Sequence, residues 1–169
     1  MSVSDEPECR CRVIEVFTDG ACAGNPGPGG WAWAVAPEGT PWGSGGERQS
    51  TNQRMEIRAA LEAMRSLPGE ITIVSDSTYV VNCINKKWYA NWQRNGWKNS
   101  QKQPVANQDL WKPMIDLYDA RKHTFRWVKG HSGNRMNDLV DELAVAASKG
   151  PFEVEVAPRE TPAAPSTLF

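Results

Sequence analysis

The stretch FTDGACAGNPGPGGWAWAV, Phe17–Val35, sets a carboxylate at the end of an apolar run, then a turn of glycines and prolines, then a tryptophan–alanine alternation. A Gly-rich turn after a strand suggests a phosphate cradle, but that pattern needs a Gly-Lys-Ser/Thr triplet and a following helix. This turn holds no lysine, and WAWAV repeats with the period of two expected of a strand. The segment therefore reads as a β-hairpin whose first strand ends at Asp19. The aspartate then needs an explanation of its own.

Working outward, RVIEVFT, WAWAV and the Gly-broken PWGSGGERQ predict a three-strand meander. In TNQRMEIRAALEAMRSL, Met55, Leu61, Met64 and Leu67 recur near helical spacing, and Pro68-Gly69 ends the helix. The strand EITIVSD follows and, like the first, ends in an aspartate, Asp76. Further helices are predicted over Ser77–Asn85 and Asn107–Arg121, a fifth strand at HTFRWVK, and a last helix at MNDLVDELAVAAS. The order makes a mixed α/β sheet with helices on its faces. A strand, a crossover helix and another strand favour parallel neighbours, which puts Asp19 and Asp76 side by side.

At 169 residues and 40% apolar content, the chain fits one domain. Residues 1–11 read as a flexible N-terminus, 12–149 as the folded domain, and 150–169 as a Pro/Ala-rich tail, mostly disordered apart from a short strand in FEVEV. No signal peptide and no apolar stretch of bilayer length is evident, so the expectation is a cytoplasmic protein without a membrane partner. Four cysteines, Cys9, Cys11, Cys22 and Cys83, are too few for a disulfide scaffold and lack a second pair for zinc. The net charge of −1 conceals an asymmetry: Ser77–Gln108 has no acid but holds Lys86, Lys87, Arg94, Lys98 and Lys102, so the remainder carries −6. That split suits a basic patch for a polyanion beside an acidic site, or simply a solvated polar segment.

Open α/β sheets bind ligands outside the carboxyl ends of parallel strands, where Asp19 and Asp76 are expected. Glu56 lies in the first turns of the intervening helix and can join them; Glu62 lies further along and reads as solvated. Converging carboxylates repel, and a hard divalent cation relieves that repulsion, so magnesium is the natural inference. The alternative is that the strand-end aspartates cap the helices that follow.

Six blocks in order, TDGACAGNPGPGGWAW, TNQRMEIRAALEAM, IVSDSTYV, NWQRNGWKNS, NQDLWKPM and WVKGHSGNRMNDLVDELA, carry a resemblance to type 1 ribonuclease H from about Val13 to Ser148. The resemblance implies a ribonuclease H-like fold with a five-stranded mixed sheet, and hydrolysis of the RNA strand of RNA–DNA hybrids to 5′-phosphate and 3′-hydroxyl ends. It also implies a four-carboxylate site on Asp19, Glu56, Asp76 and Asp141. Spacing alone does not separate Asp141 from Asp138 or Glu142. By the same correspondence two Mg2+ ions serve catalysis, with Mn2+ as a substitute. Asp19 bridges them, Asp141 joins it on the water-activating ion, and Glu56 and Asp76 hold the ion at the leaving oxygen. His131, which by itself reads as a surface loop histidine, is assigned an assisting role at the leaving group or in product release.

The resemblance further assigns the backbone around Cys22 and the amides of Asn25, Asn52 and Gln53 to the RNA strand. Short polar groups suit 2′-hydroxyls in a wide minor groove. The DNA strand falls to a basic protrusion, Lys86, Lys87, Arg94 and Lys98, and to a channel of Trp88, Trp92, Ser100 and Trp111. Trp88 and Trp92 stand four apart on one helix face; composition alone favours reading them as ordinary core. Thr51 and Asn107 match the DNA phosphate pocket, where Gln49 stands for an expected arginine and Arg48 is adjacent. A monomer without an organic cofactor is expected. The competing expectations are another nuclease of the same superfold, of transposase or resolvase type, and a non-catalytic hybrid-binding module.

Overall fold

The computed structural model describes residues 13–152 and 155–156. In chain order they form β1 (Ile14–Cys22), β2 (Gly27–Val35), β3 (Trp42–Ser50), α1 (Asn52–Ser66), β4 (Ile71–Ser75), α2 (Thr78–Asn85), α3 (Trp88–Arg94), α4 (Gln108–Arg121), β5 (Thr124–Trp127), α5 (Arg135–Ser148) and β6 (Glu155–Val156). The sheet order is β5-β4-β1-β2-β3-β6. Strand β1 pairs parallel with β4, and β4 parallel with β5, while the β1-β2-β3 meander and β6 are antiparallel.

The tryptophan–alanine alternation of β2 divides the core in two. Trp31 and Trp33 are buried on the face covered by α1, with Val16, Ile73, Met55, Leu61 and Trp111. Ala32 and Ala34 face the other way, with Phe17, Val74, Met136, Val140 and Ala144 of α5. Successive strand residues point to opposite faces, so the large residue fills one layer and the small one lets α5 approach on the other. Helix α1 begins at its cap, Thr51, whose hydroxyl accepts from Arg54 N at 3.2 Å.

Two expectations need correction. Strand β1 does not end at Asp19: it runs on to Cys22 because residues 19–22 continue to pair with β2. Its parallel pairing with β4, however, stops at Thr18↔Ser75, so Asp19 and Asp76 each lie one residue beyond the last parallel pair. The five-stranded mixed sheet is as expected, and at its edge Glu155 and Val156, within the FEVEV expected as a short strand, pair with Ser44 and Gly43 as a sixth. The chain just after α5 is also docked: Phe152 lies under the Arg48 guanidinium, 5.4 Å from ring centroid to Cζ. Residues 1–11 and the tail beyond Val156 fall outside the described residues. Lastly, Glu62 is not solvated. Its side chain is 15% exposed and accepts from Arg58 at 2.8 Å and Arg65 at 3.1 Å, as i,i+4 and i,i+3 partners on α1.

Candidate active site and nucleic-acid interface

An open cleft of about 320 Å³ lies at the ends of β1 and β4, lined by Asp19, Gly20, Ala21, Cys22, Asn52, Glu56, Asp76, His131 and Asp141. Carboxylate oxygens of Asp19, Glu56 and Asp76 all lie within 4.8 Å of one another. Asp19 and Asp76 come from the diverging ends of two parallel strands, and Glu56 from the second turn of α1. The helix can press that closely on β1 only because residue 20 is glycine: a Cβ there would collide with the backbone of Met55 and Glu56. Asp141, one turn into α5, lines the same cleft from the opposite layer and adds its charge to the field on Asp19.

Capping does not explain these aspartates. Ser77, not Asp76, caps α2, accepting from Val80 N at 3.2 Å. Asp19 sits within a strand. Its carboxyl is pushed up to about 8, first by burial and then by Asp76, with Asp141 and Glu56 adding, against the Gly20 N–H that it accepts at 2.8 Å. Glu56 is pushed up to about 7 by burial, opposed by a hydrogen bond with Ser77, with Asp76 adding repulsion. Among the described residues, no lysine or arginine lines the cleft. Buried oxygen donors in mutual repulsion, with no cation of the protein to neutralise them, suit a hard divalent metal ion. Asp19, Glu56 and Asp76 would hold it, with Asp141 as a fourth oxygen ligand.

His131 is exposed on the loop entering α5, in the left-handed conformation at φ 52°, and its ring borders the cleft. Cys22 directs its thiol away from the chemistry, to the carbonyls of Gly27 and Ser50 at 3.3 and 3.4 Å. Its main chain is what the cleft presents. Asn25 and Asn52 are exposed beside it, joined by a bond from Asn52 N to Asn25 Oδ1 at 3.4 Å, and Gln53 is exposed next to them.

The basic segment forms a second surface. A depression of about 460 Å³ is lined by Trp88, Asn91, Trp92, Asn95, Lys98, Asn99 and Ser100. Lys86, Lys87, Arg94 and Lys98 are all exposed, and among the described residues none of the four enters an ion pair. Trp111 corrects the sequence reading. It is 0% exposed, packed 5.6 Å from both Tyr79 and Trp92, so it presents no face to a nucleic acid and instead supports those two rings from beneath.

Thr51 and Asn107 are brought together by Arg54, a residue the sequence reading passed over. Its main-chain N–H goes to Thr51, one guanidinium nitrogen reaches Asn107 Oδ1 at 3.4 Å, and two pair with Asp109 at 2.9 and 2.7 Å. No sequence signal pointed to Arg54, because the carboxylates it pairs with, Glu47 at 2.9 Å and Asp109 at 2.7 Å, become its neighbours only in the fold. Arg48 does not take the place of the arginine missing at Gln49, because adjacent strand residues face opposite sides and Arg48 lies over Phe152.

An open α/β sheet that gathers carboxylates at a pair of parallel strand ends, with the Cys22 thiol turned away to the Gly27 and Ser50 carbonyls, fits a divalent-metal hydrolase. Comparison with known proteins narrows the class. Residues 12–149 match the RNase H family model. The Ribonuclease H of Syntrophomonas wolfei is 51% identical over 142 residues, 82% of this chain and 97% of that protein. That of Nitratidesulfovibrio vulgaris (strain DP4) is 51% identical over 136 residues, 79% of this chain and 87% of that protein. Among solved structures, LC9-RNase H1, a type 1 RNase H with the type 2 active-site motif, superposes with a TM-score of 0.71 at 27% identity, covering 86% of this chain and 77% of that one. The chain belongs to the RNase H family.

Proposed function

We propose that the protein hydrolyses the RNA strand of RNA–DNA hybrids with Mg2+, releasing 5′-phosphate and 3′-hydroxyl ends, and that Asp19, Glu56, Asp76 and Asp141 hold the metal. The observation that carries this reading is the meeting of Asp19, Glu56 and Asp76 oxygens within 4.8 Å in a cleft without basic partners. A pair of divalent ions bound there would lower the pKa of the attacking water and stabilise both oxygens of an in-line displacement. The residues' own tasks are to ligate, to orient and to move a proton. Asp19 feels the charges of Asp76, Asp141 and Glu56 together, so it would be the carboxylate most stabilised by bound divalent metal. His131, exposed at the rim, is placed to give a proton to the leaving oxygen and to let the product go.

Substrate choice follows from the two surfaces. Asn25, Asn52 and Gln53 offer amides to 2′-hydroxyls beside the carboxylates, while Trp88 and Trp92 offer apolar faces on which deoxyribose packs and a 2′-hydroxyl does not fit. The exposed cations draw the DNA phosphates. Within the same proposal the protein acts as a cytoplasmic monomer without an organic cofactor. The test is a cleavage assay with an RNA–DNA hybrid, duplex DNA and duplex RNA, each with and without Mg2+. Cutting of the hybrid's RNA strand alone, and only with metal, is expected. Cutting of duplex DNA would assign the site to a different nuclease of this fold, and binding without cleavage would make the protein a hybrid-binding module.

A further inference from the structure

Asp76 is fixed from several sides. Its main chain is held by β5 and the residues after it: Trp127 Nε1 donates to Asp76 O at 3.0 Å, and Val128 N donates to Ser75 O at 3.0 Å. Its side chain lies against the bare α-carbon of Gly130, where a Cβ would come within 2.6 Å of Oδ2. One directional contact remains, from Asn137 Nδ2 to the same Oδ2 at 3.4 Å.

Asn137 is an odd choice for packing. It stands in the first turn of α5, is 2% exposed, and its Oδ1 has no hydrogen-bond partner among the described residues. A buried acceptor left unanswered is destabilising, and an apolar side chain of the same shape would be free of that penalty. The amide sits four residues before Asp141, so both project from one face of α5 toward the cleft.

We propose that Asn137 is a positioning residue for the metal site. Its Nδ2 holds Asp76 Oδ2, which leaves Oδ1 as the oxygen that completes the cluster with Asp19 and Glu56. Helix α5 thereby supplies one ligand, Asp141, and the clamp on another. Partners that orient a ligating carboxylate without touching the ion commonly change metal affinity by ten- to a hundredfold. This inference rests on reading the carboxylates as a metal site.

Asn137→Leu keeps the branched shape, with somewhat bulkier ends, and removes both the donor and the orphaned acceptor. The experiment is calorimetric titration of Mn2+ into the folded protein without substrate, paired with thermal melting in the absence of metal. The expected result is a metal-free Tm equal to or above that of the wild type, a Mn2+ affinity weakened about tenfold or more, and cleavage that recovers as Mg2+ is raised. A folded variant with a lower Tm and wild-type Mn2+ affinity assigns Asn137 to packing and overturns the proposal. Should the leucine variant fail to fold, Asn137→Ser, too short to reach Asp76, carries the same affinity test. Wild-type protein that binds no Mn2+ would instead overturn the metal reading itself, a result separable from equal binding by both proteins.

Discussion

The carboxylate cleft and the tryptophan-lined protrusion solve opposite problems. The cleft is built where two parallel strands diverge inside a rigid sheet, and it keeps like charges in contact: Asp19 and Glu56 are pushed up to about 8 and about 7. The protrusion is built from short helices on the periphery, and its exposed cations stand around half-buried apolar rings. Its backbone includes left-handed residues at Lys87, Trp97 and Lys102. Strain in the cleft is electrostatic and is relieved by a ligand metal. Strain in the protrusion is local and conformational, tolerated because nothing there must hold an atom to a fraction of an ångström. On the proposed reading, chemistry is lodged in the sheet and capture outside it.

The largest effect that separates the two regions should come from Asp76→Asn. Loss of one ligand charge is expected to abolish hybrid cleavage in Mg2+ while hybrid binding, measured by fluorescence anisotropy, stays near wild type because repulsion toward phosphate also falls. Calcium in place of magnesium should behave similarly, since its larger and looser shell does not support two-ion geometry. Next comes the root of the protrusion. Trp111→Ala removes a fully buried indole from beneath Trp92 and Tyr79, so urea unfolding should show a loss of about 3–5 kcal/mol.

A smaller effect sharpens the electrostatic side. In the metal-free protein the folded state keeps protons on Asp19 and Glu56 that the unfolded chain releases above about pH 4. The fold then binds more protons than the unfolded chain, so this contribution to stability falls as pH rises toward about 8. Divalent metal needs the deprotonated carboxylates, so the Tm gained on adding Mg2+ should widen between pH 5 and pH 8. Differential scanning calorimetry reads it, and a gain that does not change with pH would place the metal elsewhere. The smallest effect lies away from both regions. Lys122 ends α4 in the left-handed conformation at φ 54°, a position suited to glycine, and Lys122→Gly should raise stability by about 1 kcal/mol with no change in cleavage.

What was legible in the sequence follows the same division. Strand alternation and a crossover helix were enough to place Asp19 beside Asp76 and to bring in Glu56, because those positions are fixed by short-range periodicity. Asp141 came only with the family resemblance, since which face α5 turns to the sheet is decided by packing against Ala32 and Ala34. Asn137 and Arg54 gave no signal. Each acts through a partner more than fifty residues away. Trp111 misled for the opposite reason: an aromatic beside a basic segment looks the same in sequence whether its ring is the platform or the support under it. Glu62 misled because its i,i+4 and i,i+3 arginine partners, Arg58 and Arg65, shelter it from water.

The separation of capture from chemistry is tested most directly by replacing Lys86, Lys87, Arg94 and Lys98 together with neutral residues. Hybrid cleavage is then followed under single-turnover conditions at saturating enzyme, with binding measured across a salt series. Each lost phosphate contact removes about one released counterion from the salt dependence. The account expects weaker binding with a flatter salt slope and a cleavage rate constant close to that of the wild-type protein. An unchanged slope with a collapsed rate constant would contradict it.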